Sequence, residues 1–160
     1  MNSEQNYALA LGIIFTILGI AGFIPGLVSL PAEGLGAAVP LDTGAIPASP
    51  GSDYIAAYVR GFGYVFGLFP TNLLHNIVHL AVGLFGLFSA TGKEGAFNFN
   101  RFFAVTYLLL AIMGLLPLTN TLFGIMPIFG NNVWFNALTG AIAAYYTFLW
   151  HPSHPEATSV

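Results

Sequence analysis

The fold class predicted for this chain is all-α, a four-helix transmembrane bundle, and three observations predict it. Only 6% of the 160 residues are charged and 56% are hydrophobic, with a mean hydropathy of +0.79. Ordinary soluble domains carry about 25% charged residues, so this chain lacks the side chains to cover a water-facing surface. Second, four apolar windows each approach the roughly 20 helical residues that cross a hydrocarbon core about 30 Å thick. Third, their apolar residues recur at helical rather than alternating spacing, which argues against a barrel.

In chain order, the first window is "YALALGIIFTILGIAGFIPGL", 7–27, ended or kinked near Pro25. The leading "MNSEQN" has no Lys or Arg and no convincing small-x-small cleavage site follows, so a retained anchor is expected rather than a secretory signal. Residues 31–53, rich in Pro, Gly and Ala, predict an irregular exposed loop. Tyr54, Tyr58, Phe62, Phe66 and Phe69 then recur at roughly helical spacing, which predicts an interfacial helix before the second span; the alternative is an extension of that span kinked at Pro70.

The second span is "TNLLHNIVHLAVGLFGLFSA", 71–90, and a short loop, 91–100, separates it from the third, 101–118, where Pro117 stands near the end. Loop 119–131 is uncharged and apolar enough to lie in the membrane interface. The fourth span, 132–150, stops before "HPSHPEATSV", a solvated tail over 151–160. The whole, 1–160, reads as a single membrane domain. Lys93 and Arg101 flank one loop while Arg60 stands alone near Glu33, Asp42 and Asp53. The positive-inside tendency therefore places loop 91–100 and both termini in the cytoplasm.

The second span carries the most informative pattern. At 100° per residue, Asn72, His75, Asn76, His79, Gly83, Gly86 and Ala90 fall within about 60° of one direction, and bulky apolar residues cover the rest. Polar side chains facing acyl chains are costly, so this stripe must face other helices, a cavity or a ligand. On the fourth span Asn136, Gly140 and Ala144 recur every four residues, and Tyr107, Ala111 and Gly114 give the third a shorter version. The three faces are expected to meet, with hydrogen bonds among His75, His79, Tyr107 and Asn136.

These residues resemble an uncharacterised family of small four-helix bacterial integral membrane proteins, known mainly as a domain of unknown function. The family signature is matched by Asn72, then Leu74-His75-Asn76, His79-Leu80 and Gly83. The similarity extends over about 63–148. In the family the last helix often carries Asp followed shortly by Leu-His; here "NNVWFN" puts Asn136 where that histidine would stand. The resemblance implies a fold and a bacterial membrane location, and no activity.

The chemistry that composition excludes is broad. A net charge of −3 gives no basic footprint for nucleic acid, and the absence of cysteine removes disulfides, zinc–thiolate sites and thiol nucleophiles. The first alternative is a chlorophyll- or haem-binding membrane subunit using His75 or His79 as an axial ligand; histidines at i and i+4 cannot clamp one haem from both faces, an objection that a single-histidine chlorophyll site escapes. The same spacing suits zinc, but no Glu lies between them and no acid falls within the four windows, so no metal is expected. Intramembrane histidines also mark proton paths, which leaves a small proton-linked transporter or channel component, working as an oligomer, as a further alternative. No catalytic constellation is visible. The expected function is an accessory or scaffold subunit, without enzymatic activity or cofactor. Its expected partners are the lipid bilayer and either other membrane subunits or further copies of itself.

Overall fold

The computed structural model describes residues 1–29 and 62–150. They are mostly helical: α1 (Ser3–Ala21), α2 (Leu73–Ser89), α3 (Lys93–Leu115) and α4 (Asn131–Ala144), the last continuing as a π turn over Tyr145–Trp150. A small antiparallel sheet joins β1 (Val28–Ser29), β2 (Gly63–Val65) and β3 (Phe69–Thr71) in that order, with Val28 opposite Val65 and Tyr64 opposite Pro70.

Local chemistry sets the helix ends. The Asn2 side chain accepts from the Gln5 amide at 2.8 Å while Gln5 Oε1 accepts from the Asn2 amide at 3.0 Å, a reciprocal cap that starts α1 at Ser3, ahead of the expected 7. That helix stops at Ala21, short of Pro25, which opens a single 3-10 turn (Pro25–Leu27). Leu116 is extended (φ −95°, ψ 127°) because a residue before proline is pushed out of the helical region, so Pro117 ends α3 at Leu115. Gly130 starts α4 from φ 63°, ψ −132°, a conformation that side chains disfavour.

Two expectations are corrected. The aromatic run before the second span is not helical where it is described: Phe62 to Thr71 forms the β2–β3 hairpin. Its turn holds Phe66 and Gly67 at φ 54° and 68°, values that a helix cannot include. The aromatic spacing that suggested a helix also satisfies a strand–turn–strand in which Phe62 and Val65 are buried. Loop 91–100 is likewise mostly helix, because α3 begins at Lys93. Ala96, Phe99, Asn100 and Phe103 are buried at helical spacing, so core packing extends the helix back through the polar stretch. Loop 31–53, the residues of the aromatic run before Phe62, and tail 151–160 lie outside the described residues. Within 119–131, Met126, Pro127 and Ile128 turn inwards and are buried, whereas Phe123 is exposed.

The helices alternate in direction. α1 packs chiefly on α2 and α3 chiefly on α4. Residues 1–5, the α2–α3 turn and the end of α4 gather at what we call the lower end. The sheet and residues 116–130 gather at the upper end. Between them Ala8, Leu11, Phe15, Phe99, Phe103, Ala104, Tyr107 and Ala143 form one buried core.

Candidate functional site

The polar stripe of α2 is buried as its periodicity predicts: His75, Asn76 and His79 are all at most 6% exposed. The element that covers the glycine half of the stripe is α1. A Cβ on Gly12 would lie 2.6 Å from the Leu87 backbone nitrogen, one on Gly19 2.8 Å from that of Leu80, and one on Gly83 would collide with Thr16. Backbone therefore meets backbone, with small residues contributed from both sides. α2 still meets α3, where the Phe85 and Phe99 rings lie 5.4 Å apart, but its principal neighbour is α1 rather than the α3 and α4 expected. Sequence reasoning missed it because Gly12, Thr16 and Gly19, spaced by about one turn on α1, were the signal.

Four asparagines at the upper end have defined partners. Asn72 caps α2 by accepting from the His75 amide at 2.9 Å, and its Nδ2 donates to the Ile125 carbonyl at 2.8 Å. Asn76, fully buried, accepts from the Thr71 hydroxyl at 2.6 Å and donates to the Gly22 carbonyl at 2.9 Å. Asn132 donates to the Pro70 and Pro127 carbonyls at 2.7 and 3.0 Å, and Asn131 to the Leu68 carbonyl at 3.0 Å. These amides answer why so apolar a chain keeps them. Irregular backbone closing the upper end leaves carbonyls without a ladder or helix, and the amide side chains supply the donors.

The histidines do something else. Their rings lie against each other at 4.2 Å between centroids, and His79 meets the Phe15 ring edge-on at 5.0 Å. Phe15 in turn touches Phe103, Tyr107 and Phe135 at 5.1 to 5.5 Å. The expected hydrogen bonds among His75, His79, Tyr107 and Asn136 are therefore not formed: Phe15 fills the space between the histidines and Tyr107. Tyr107 instead stacks on Phe103 at 3.8 Å. His75 Nδ1 is buried without a hydrogen-bond partner. Asn136 is buried on α4, and Gly140 receives Leu108 of α3, whose backbone nitrogen a Cβ there would approach to 3.1 Å. Of the predicted set, then, Asn72, His75, Asn76, His79 and Gly83 form one face. Tyr107 reaches it through Phe15, while Gly140 belongs to the separate α3–α4 contact.

Among the described residues, no group of three or more His, Cys, Asp or Glu side chains could hold a metal ion. An ion on the histidine pair would have to take its remaining ligands from amide, hydroxyl or carbonyl oxygen.

The family model described as Domain of unknown function (DUF4383) matches residues 5–149. The chain belongs to that family. No curated protein and no solved structure matches it. The DUF4383 match takes in the hairpin, α2, α3, α4 and α1 from Gln5 onwards, so the histidine–asparagine face of α2 lies within the family domain.

Buried polar groups at the lower end escaped the sequence reading. Glu4, in the first turn of α1, is 0% exposed and packs at the lower end, where the Asn100 side chain donates to its backbone carbonyl at 3.1 Å. Nearby, Gln5 Nε2 donates to the Ala90 carbonyl at 3.1 Å. No acid falls within the first window, 7–27, but the Asn2–Gln5 cap starts α1 at Ser3 and so draws Glu4 into the helix. The "NSEQ" string, with its Asn and Gln three apart, carried that information.

Proposed function

We propose that this DUF4383 protein is a four-span integral membrane protein acting as an accessory or scaffold subunit. One observation carries the reading: the helices bury polar side chains beside the aromatic core and expose large apolar ones. His75, Asn76, His79, Asn100 and Asn136 are buried, while Ile17 and Ile20 of α1, Ile77 and Phe88 of α2, Val105 and Ile112 of α3, and Trp134 and Leu138 of α4 are exposed. In water that arrangement forfeits the hydrophobic driving force, whereas in a bilayer acyl chains solvate the outer surface.

Length supports the same reading. α1 and α3 are long and apolar enough to cross a membrane. The 19 residues of α1 span about 29 Å and the 17 of α2 about 26 Å, close to a hydrocarbon core of about 30 Å. Lys93 and Arg101 both belong to the lower end, which the positive-inside tendency assigns to the cytoplasm together with the two termini. A scaffold role is supported by how the polar groups are used. The asparagine donors of the upper end are spent on the chain's own carbonyls, and the histidine rings pack on aromatic neighbours. The large outer apolar faces remain for lipid or for the helices of a partner subunit.

The chain has no cysteine, so single introduced cysteines report sidedness without background. Thr91→Cys at the lower end and Leu68→Cys at the upper end are both exposed positions. In sealed inside-out vesicles a membrane-impermeant maleimide should label the first and spare the second, with the pattern reversed in right-side-out vesicles. Labelling of both from one side, or release of the protein by alkaline carbonate, overturns the four-span reading. Gentle purification from the native membrane should bring down a stoichiometric partner or a defined homo-oligomer. A monomer with neither overturns the scaffold role.

A further inference from the structure

Arg101 stands on the outer side of α3, where its exposed guanidinium has neither an ion-pair nor a hydrogen-bond partner among the described residues. At 100° per residue, Asn98, Phe102, Val105, Leu109 and Ile112 fall with it inside one arc of about 100° on that helix. All six are exposed, the four apolar ones by 54% to 62%. One continuous face is therefore polar below and apolar above. Glu94 shares the arc, but it lies two turns and about 10 Å below Arg101, beyond pairing distance. Lys93 falls outside it.

The packing of α3 on α1 sets the depth at which this face changes character. Asn100 Nδ2 donates to the Glu4 carbonyl at 3.1 Å, so Arg101 stands level with the first turn of α1. The 19 residues of α1 match the hydrocarbon thickness, which puts that level at the lower headgroup boundary. From Phe102 to Ile112 the helix rises about 15 Å, the depth of one leaflet. A guanidinium at the edge of hydrocarbon is costly unless an anion meets it. A phosphate supplies the charge and paired oxygens that match the fork of an arginine. The Asn98 amide, one turn below, can donate to a further headgroup oxygen. A zwitterionic headgroup carries its own ammonium beside the phosphate, whereas an anionic one leaves its charge for Arg101.

We infer that Asn98, Arg101 and the ridge from Phe102 to Ile112 bind one anionic phospholipid of the lower leaflet. This rests on the four-span reading, which cysteine labelling decides by itself; a failed lipid test with the labelling pattern intact overturns the lipid site alone. Melting of the full chain in a neutral detergent, followed by tryptophan fluorescence, is compared with added phosphatidylglycerol and with added phosphatidylcholine. Phosphatidylglycerol should raise the melting temperature along a saturable curve, as a ligand of the folded state does, and phosphatidylcholine should do so far less. Arg101→Gln should raise the half-saturating phosphatidylglycerol concentration by about tenfold or more, the loss of a charge-assisted pair. Arg101→Lys, which keeps the charge without the fork, should fall between. Lys93→Gln, off the arc, should respond as the parent does. Equal responses to the two lipids overturn the site. So do equal losses in Arg101→Gln and Lys93→Gln, which mean diffuse attraction, and stabilisation by inorganic phosphate as large as by the lipid. Should neither lipid act while Arg101→Gln releases a co-purifying protein, Arg101 pairs with a carboxylate of that protein and the lipid site is overturned.

Discussion

The two ends of the molecule handle buried polar groups in opposite ways. At the upper end asparagine side chains are donors, and what they bind is backbone: the carbonyls of Gly22, Leu68, Pro70, Ile125 and Pro127. At the lower end the excess is of acceptors, with Asn100 Oδ1 and Thr147 Oγ1 enclosed and unbonded. A saturated network of short bonds fixes a shape. Residue type alone does not separate the two, since asparagine serves both; the balance of donors and acceptors does.

Substitutions should break or sharpen that contrast, and the largest effect is expected at Asn76. Asn76→Leu removes the donor to the buried Gly22 carbonyl and the acceptor for the Thr71 hydroxyl, at a cost of about 3 kcal/mol in a reversible unfolding titration. Asn132→Leu leaves the Pro70 and Pro127 carbonyls without their donor and should cost about 2 kcal/mol in the same titration. His79→Leu comes next, at under about 1.5 kcal/mol, because it exchanges one ring packed on Phe15 for a side chain of comparable volume. A much larger loss would mean that the imidazole holds a ligand, and the upper end would then no longer be purely structural. The smallest change is expected for Thr147→Val, within about 0.5 kcal/mol, since its hydroxyl has no bond to lose. A substantial destabilisation there would place the lower end in the same class as the upper.

The helical framework and the buried stripe of α2 were legible because both follow from periodicity. The fourth helix starts at Asn131 and its helical turns run to Trp150, close to the expected 132–150. Prolines marked the helix stops correctly in kind, at Pro25 and Pro117. The hairpin was illegible because Phe62, Phe66 and Phe69 fit two periods at once, and only the positive φ of Phe66 and Gly67 decides between them. The bonding partners of the asparagines were also illegible. They are carbonyls, which every residue possesses, so no residue type announces them. The α1 contact was readable in principle from Gly12, Thr16 and Gly19, but a pattern of small residues says that something approaches closely and not which helix it is.

Phe15 has a consequence for how such a molecule responds as a unit. One ring on α1 lies against His79 of α2, Phe103 and Tyr107 of α3, and Phe135 of α4. It works as a hub, so displacing any one helix alters the magnetic environment of that ring. A fluorine placed on it would give a single resonance sensitive to all three neighbouring helices.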